Sequence, residues 1–131
     1  MSILFQPISL GQMTVRNRFV RSAASESMAT ERGEVTEDLV KYYRSLARGQ
    51  VGLIISGFMY VHPLGRMARH QTGIHDDEMI EGLRRLCDAV HDEGGCIAFQ
   101  LGHAGRQTTK GVIGRTPLGP SSKGRDPTTF V

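Results

Sequence analysis

Cysteine is scarce in this 131-residue chain: only Cys87 and Cys96 occur. Each has apolar company, one in a helix-like and one in a strand-like segment. That suits small buried side chains better than a metal site or a disulfide framework, so a reducing compartment is expected. No apolar run approaches the roughly 20 residues that span a bilayer. The first residues also lack the basic start and continuous apolar run of a secretory leader. The expected location is the cytoplasm, with no membrane partner. No block of about five or more like charges occurs, and the formal net charge is only +3. A nucleic-acid partner is therefore not expected, and Arg16, Arg18 and Arg21 read as the solvated side of an edge segment. No Gly-x-Ser-x-Gly elbow surrounds Ser22, Ser25 or Ser27, so none is assigned as a nucleophile. His62, His70 and His75, with Asp76 and Asp77, match no strong ligand motif such as His-Glu-x-x-His. No metal site and no catalytic residue are assigned.

What remains is an ordinary globular composition, 39% apolar and 22% charged, of a length usual for one domain. Leu4 to Val15 reads as two short strands around "LGQM", and Phe19 to Ser22 as another. Ala24 to Gly33 is small, polar and ends on glycine, which marks a loop. Thr36 followed by Glu37 and Asp38 is a helix start. Leu39, Tyr42, Tyr43, Leu46 and Ala47 then recur at helical spacing until Gly49. One of the two tyrosines is expected in the core and the other at its rim. Val51 to Ser56 is continuously apolar and reads as a fully buried strand. After a long connection, Asp76 caps a second helix whose inward face is Met79, Ile80, Leu83, Leu86, Cys87 and Val90. Cys96 to Leu101 is the third buried strand.

Buried strands alternating with helices predict a parallel βα architecture with right-handed crossovers. An open nucleotide-binding sheet would carry a Gly-rich turn after its first strand, whereas "RSAASESMA" has no glycine. Long loops leaving short strands favour a barrel mouth instead. A closed eight-stranded barrel needs about 250 residues. The predicted fold class is therefore α/β: a partial (β/α)8 TIM barrel with an N-terminal hairpin, about three barrel strands and two helices.

The strand ends hold the candidate chemistry. Gln100 is a polar residue at the end of an apolar strand, where it needs a hydrogen-bond partner. Its amide suits the edge of a heterocycle, or it bonds neighbouring backbone. Ser22 to Ser25 and Ser56-Gly57 are small. They leave room for a flat cofactor held partly by main chain, or they allow tight loop packing. His103 and Arg106 lie beyond Gln100 and could meet a ligand or organise their loop.

Three pieces, "LFQPISLGQMTVRNRFVRSA", "GQVGLIISG" and "FQLGHAGRQ", match in order and spacing. Together they resemble the N-terminal part of the old yellow enzyme family, the FMN-dependent NADH:flavin oxidoreductases. The resemblance covers essentially the whole chain. It implies an N-terminal portion, residues 1–131, of an FMN-binding barrel domain, with FMN as cofactor and NADH or NADPH as reductant. Hydride passes through the flavin to a small-molecule electrophilic acceptor, such as an α,β-unsaturated carbonyl. It also implies that Gln100 reads the pyrimidine edge of the flavin ring. Ser22, Ala23 and Ala24 border the ring through main chain, and Ser56, Gly57 and Phe58 form the neighbouring wall. His103 and Arg106 take a loop-organising role.

Ala23 stands where many members have proline, Ser25 where one branch has cysteine, and Ser27 where that branch has a substrate-facing tyrosine. These departures leave the acceptor open. The family's substrate-anchoring pair, proton-donating tyrosine and phosphate-binding strands fall beyond residue 131. A truncated chain is therefore expected, binding FMN weakly or not at all in isolation. The alternative is a non-catalytic fragment, inactive alone or dependent on another chain; a homo-oligomer is left open.

Overall fold

A computed structural model describes residues 2–120. After a 3-10 turn at Ile3–Phe5, strands β1 (Ile8–Leu10) and β2 (Met13–Val15) pair antiparallel, with Ile8 opposite Val15 and Leu10 opposite Met13. The hairpin turn is only two residues long, and Gly11 takes a φ of +61°. A turn of that length favours left-handed backbone at this place, which glycine adopts without steric cost.

Three short strands follow: β3 (Val20–Arg21), β4 (Leu53–Ile55) and β6 (Cys96–Ala98). They form one parallel sheet in the order β3-β4-β6. Ile54 sits between Arg21 and Ile97 in register. A smaller parallel pair extends the same chain directions, β5 (Met59–Tyr60) with β7 (Leu101–Gly102).

Helix α1 (Glu37–Arg48) starts where Thr36 Oγ1 accepts the Leu39 N–H at 3.2 Å. Helix α2 (Ile80–His91) follows a 3-10 turn at Asp77–Met79, and Asp76 caps that turn by accepting the Glu78 N–H at 2.9 Å. A short α3 (Lys110–Ile113) lies near the end of the described residues. The two long helices pack on each other and on one face of the sheet. Leu39, Val40, Tyr43, Ala47, Ile54, Leu86, Ala89 and Val90 form the core between them. Met59, Met79 and Leu83 make a second, smaller cluster. Among the described residues, no helix is long and apolar enough to cross a membrane.

Several expectations need correction. The strand expected over Val51 to Ser56 is not buried on both faces: Leu53 and Ile55 are only half-buried. The strand expected over Cys96 to Leu101 breaks at Phe99-Gln100, and Leu101 is exposed. The reason is common to both. Helices cover the face carrying Ile54 and Ile97, while among the described residues nothing comparable packs on the opposite face. Ile80 is exposed and Cys87 only half-buried, so the buried face of α2 is Leu83, Leu86, Ala89 and Val90. Both cysteines are free. The solvated basic side also fails at two positions. The Arg16 guanidinium donates to the Glu93 carbonyl at 2.6 Å, and Arg21 turns toward the helices.

Candidate functional site

The three parallel strands end side by side, and their exits carry the residues expected to border a cofactor, with His103 and Arg106 following β7. Ser22 to Ala24 leave β3, Ser56 and Gly57 leave β4, and Gln100 follows β6. Strand alternation places Ser22 with Val20, and Gln100 with Ala98, on the face away from the helices. Ser22, Ala24 and Gln100 are exposed and Ala23 is half-buried.

Gln100 has a fixed backbone and a free head. Its N–H donates to Ser56 Oγ at 3.1 Å, and its carbonyl accepts the Met59 N–H at 2.7 Å. The side-chain amide forms no hydrogen bond among the described residues and stands in the open. Ser56 plays a different part. It is fully buried, its hydroxyl donates to the Gly57 carbonyl at 2.9 Å, and its N–H donates to the Ala98 carbonyl at 2.9 Å. The hydroxyl therefore stitches the end of β4 to the break in β6, and its oxygen takes the place of a ladder carbonyl for Gln100.

Gly57 is closely enclosed. A Cβ there would collide with the Glu26 carboxylate and lie 2.6 Å from the Ala24 carbonyl oxygen. Its N–H donates to Glu26 Oε1 at 3.1 Å and lies 3.2 Å from the Tyr43 hydroxyl. Phe58 packs over Gly102, where a Cβ would come within 2.5 Å of the ring. His103 accepts the Gly105 N–H at 3.0 Å through Nδ1, and its ring lies against Gly65. That is loop architecture. Arg106 is exposed in the 3-10 turn Gly105–Gln107.

Glu26 was missed by the sequence reading. It lies behind the exits with Arg21, Tyr42 and Tyr43. Arg21 Nη2 meets Glu26 Oε1 at 2.9 Å, with both side chains nearly buried at 13% and 8% exposure. The Tyr43 hydroxyl donates to the same oxygen. Arg21 Nη1 donates to the Ile55 carbonyl at 2.8 Å, and its guanidinium lies 5.7 Å and 5.6 Å from the ring centres of Tyr42 and Tyr43. Burial pushes the Tyr43 phenol well up, and the hydrogen bond to Glu26 pushes it further. Burial alone would lower the Arg21 pKa. The Tyr42 hydrogen bond, with Tyr43 and Glu26, outweighs burial and leaves it raised. One signal for Glu26 was present in the sequence: an arginine inside a sheet strand requires a nearby counter-charge, and Glu26 is the next acidic residue along.

Residues 3–128 match the profile of the NADH:flavin oxidoreductase / NADH oxidase family. The chain belongs to that family. It is 41% identical over 121 residues to a metal reductase of Desulforamulus reducens, covering 92% of this chain and 18% of that protein. It is 39% identical over 127 residues to a 4,4'-dithiodibutanoate disulfide reductase of Rhodococcus erythropolis, covering 92% and 31%. Among solved structures, the old yellow enzyme homologue of Zymomonas mobilis superposes with a TM-score of 0.85 at 35% identity, covering 92% of this chain and 33% of that one. Morphinone reductase in complex with tetrahydroNAD gives a TM-score of 0.82 at 32% identity, with 92% and 33% covered. The chain thus spans between about a fifth and a third of these relatives. Its fold is the corresponding part of an old yellow enzyme α/β barrel.

Proposed function

We propose that the exits of β3, β4 and β6 form one side of an FMN site, within the N-terminal portion of an FMN-binding oxidoreductase domain. The observation that carries this reading is Gln100: both backbone groups are pinned, and the amide is exposed without a partner among the described residues. Such a group can offer N–H and C=O together to a heterocyclic edge at little ordering cost. Ser22, Ala23 and Ala24 present main chain beside it, and Gly57 keeps the neighbouring exit free of a side chain. Ser56 acts at one remove by holding Gln100. These residues fit the polar edge and flat face of an isoalloxazine. FMN, when bound, supplies hydride-transfer chemistry between a nicotinamide reductant, NADH or NADPH, and a small-molecule electrophilic acceptor such as an α,β-unsaturated carbonyl. A cytoplasmic setting accords with two free cysteines.

The test is an NMR titration of the 131-residue chain with FMN at millimolar concentration. Weak, saturable shifts are expected at the Gln100 side-chain amide and at the backbone of residues 22–24 and 57. Gln100→Ala should weaken binding about three- to tenfold, the scale of one or two net hydrogen bonds. Saturable shifts confined to other residues would overturn the reading. A second reading applies to the chain on its own: it is non-catalytic alone, or dependent on another chain. It is supported by the count of exits, since a barrel pocket draws groups from the ends of several of eight strands and three are found among the described residues.

A further inference from the structure

Glu26 belongs to none of the motifs that carry the family resemblance, yet three donors at the strand exits converge on it. One oxygen, Oε1, receives Arg21 Nη2 at 2.9 Å, the Gly57 N–H at 3.1 Å and the Tyr43 hydroxyl. These donors come from separate places: β3, the exit of β4 and helix α1. The Ala24 carbonyl, two residues before Glu26, accepts from Arg21 Nη2 at 3.2 Å. Arg21 also holds the last carbonyl of β4 at Ile55.

A buried ion pair gives little net stability against an apolar replacement, so stability alone is a weak reason for this arrangement. The bond to Gly57 has a different consequence. It fixes the distance between the loop leaving β3 and the turn leaving β4. Gly57 has no room for a Cβ because the Glu26 carboxylate and the Ala24 carbonyl already occupy that space.

We infer that Glu26 is a positioning residue, whose carboxylate oxygen sets the spacing of the β3 and β4 exits against which the cofactor lies. The inference rests on the FMN reading of those exits. Glu26 acts through Gly57 and Ala24, and Arg21 supplies the counter-charge that allows a carboxylate there. The acceptor oxygen does the positioning; the charge serves only the ion pair.

That division gives the experiment. Glu26→Ala, Glu26→Gln, Tyr43→Phe and Gln100→Ala are made in the 131-residue chain. FMN affinity is read by NMR titration and stability by thermal melting. Glu26→Ala is expected to weaken FMN binding about five- to tenfold. Glu26→Gln keeps an acceptor oxygen and should bind within about twofold of the parent, although its melting temperature falls because Arg21 loses its counter-charge. Tyr43→Phe leaves the Glu26–Gly57 bond in place and should also stay within about twofold. Wild-type affinity in a folded Glu26→Ala chain overturns the inference. So does a loss in Glu26→Gln as large as the loss in Glu26→Ala. If Glu26→Ala does not fold, a roughly tenfold loss in Glu26→Gln overturns the inference, and retention within about twofold upholds it. Gln100→Ala separates the two levels. If it too leaves affinity unchanged, the FMN reading itself has failed; if it alone weakens binding, only the role of Glu26 has.

Discussion

Tyr43 has its ring in the core and its hydroxyl on Glu26, so its ionisation is tied to the fold. Burial and the Glu26 carboxylate both favour the neutral phenol. In the unfolded chain the same group loses its proton near its ordinary value of 10.0. Below that pH neither state is ionised, and the stabilisation is fully present. Above it the folded chain holds a proton that the unfolded chain has released, so stability falls as pH rises. Tyr60, also raised by burial, adds to the same trend. Urea unfolding across the alkaline range should show a steeper loss in the parent than in Tyr43→Phe, with a limiting difference of about 1.4 kcal/mol per pH unit. Equal slopes would show that Tyr43 ionises freely in the folded chain. At this scale, legibility in the sequence followed the reach of each contact. Gln100 could be singled out because an amide ending an apolar run is a local anomaly. Glu26 was harder to find: Arg21, five residues before it, was its one local cue, while its other partners Tyr43 and Gly57 lie 17 and 31 residues away.

Among the elements, α1 was the most legible, because its signals are local: Thr36, two acidic residues, a periodic apolar stripe and Gly49. Thr36 does more than cap. Its hydroxyl accepts the Leu39 N–H and donates to the Met28 carbonyl at 2.6 Å, joining the β3 exit loop to the helix. Thr36→Ala should therefore cost about 1–2 kcal/mol, toward the upper end for a cap, and Thr36→Ser should recover most of it. The urea midpoint at unchanged m-value is the measurement. Strand locations were legible from their apolar runs, but strand ends were not. The end of β6 depends on Ser56, forty-odd residues away in sequence, whose hydroxyl replaces a ladder carbonyl at the break. The pair of β5 and β7 is two residues by two. Nothing periodic fits in that length, and only tertiary placement of the two exits creates it. The start of α2 slipped for a similar reason, because Asp76 served a 3-10 turn before the helix proper.

Across the whole molecule, apolar side chains are distributed unevenly about the sheet. The helix side is closed by Leu39, Tyr43, Ile54 and Leu86, all nearly inaccessible. The opposite side and the β3 edge leave Phe19 at 40%, Val20 at 53% and Leu101 at 62% exposure, with Phe5, 58% exposed, tilted against the Phe19 ring. β3 and β6 also have one unpaired edge each among the described residues. Open edges beside apolar surface favour association with another chain, and for the isolated protein the available partner is a second copy. Sedimentation velocity of the 131-residue chain should show concentration-dependent self-association. Val20→Lys places a charge on the β3 edge, on the face away from the helices, where it disturbs no core contact. It should shift the distribution toward monomer while leaving the far-UV spectrum and melting temperature close to those of the parent. The proposed FMN site makes a further demand on this variant, since Ser22 lies on the same face two residues on. If the associating surface and the cofactor-facing exits are adjacent, self-association and FMN compete. FMN should then reduce association in the parent and have little further effect in Val20→Lys. A parent that stays monomeric at every concentration would show that the exposed edge is tolerated without a partner.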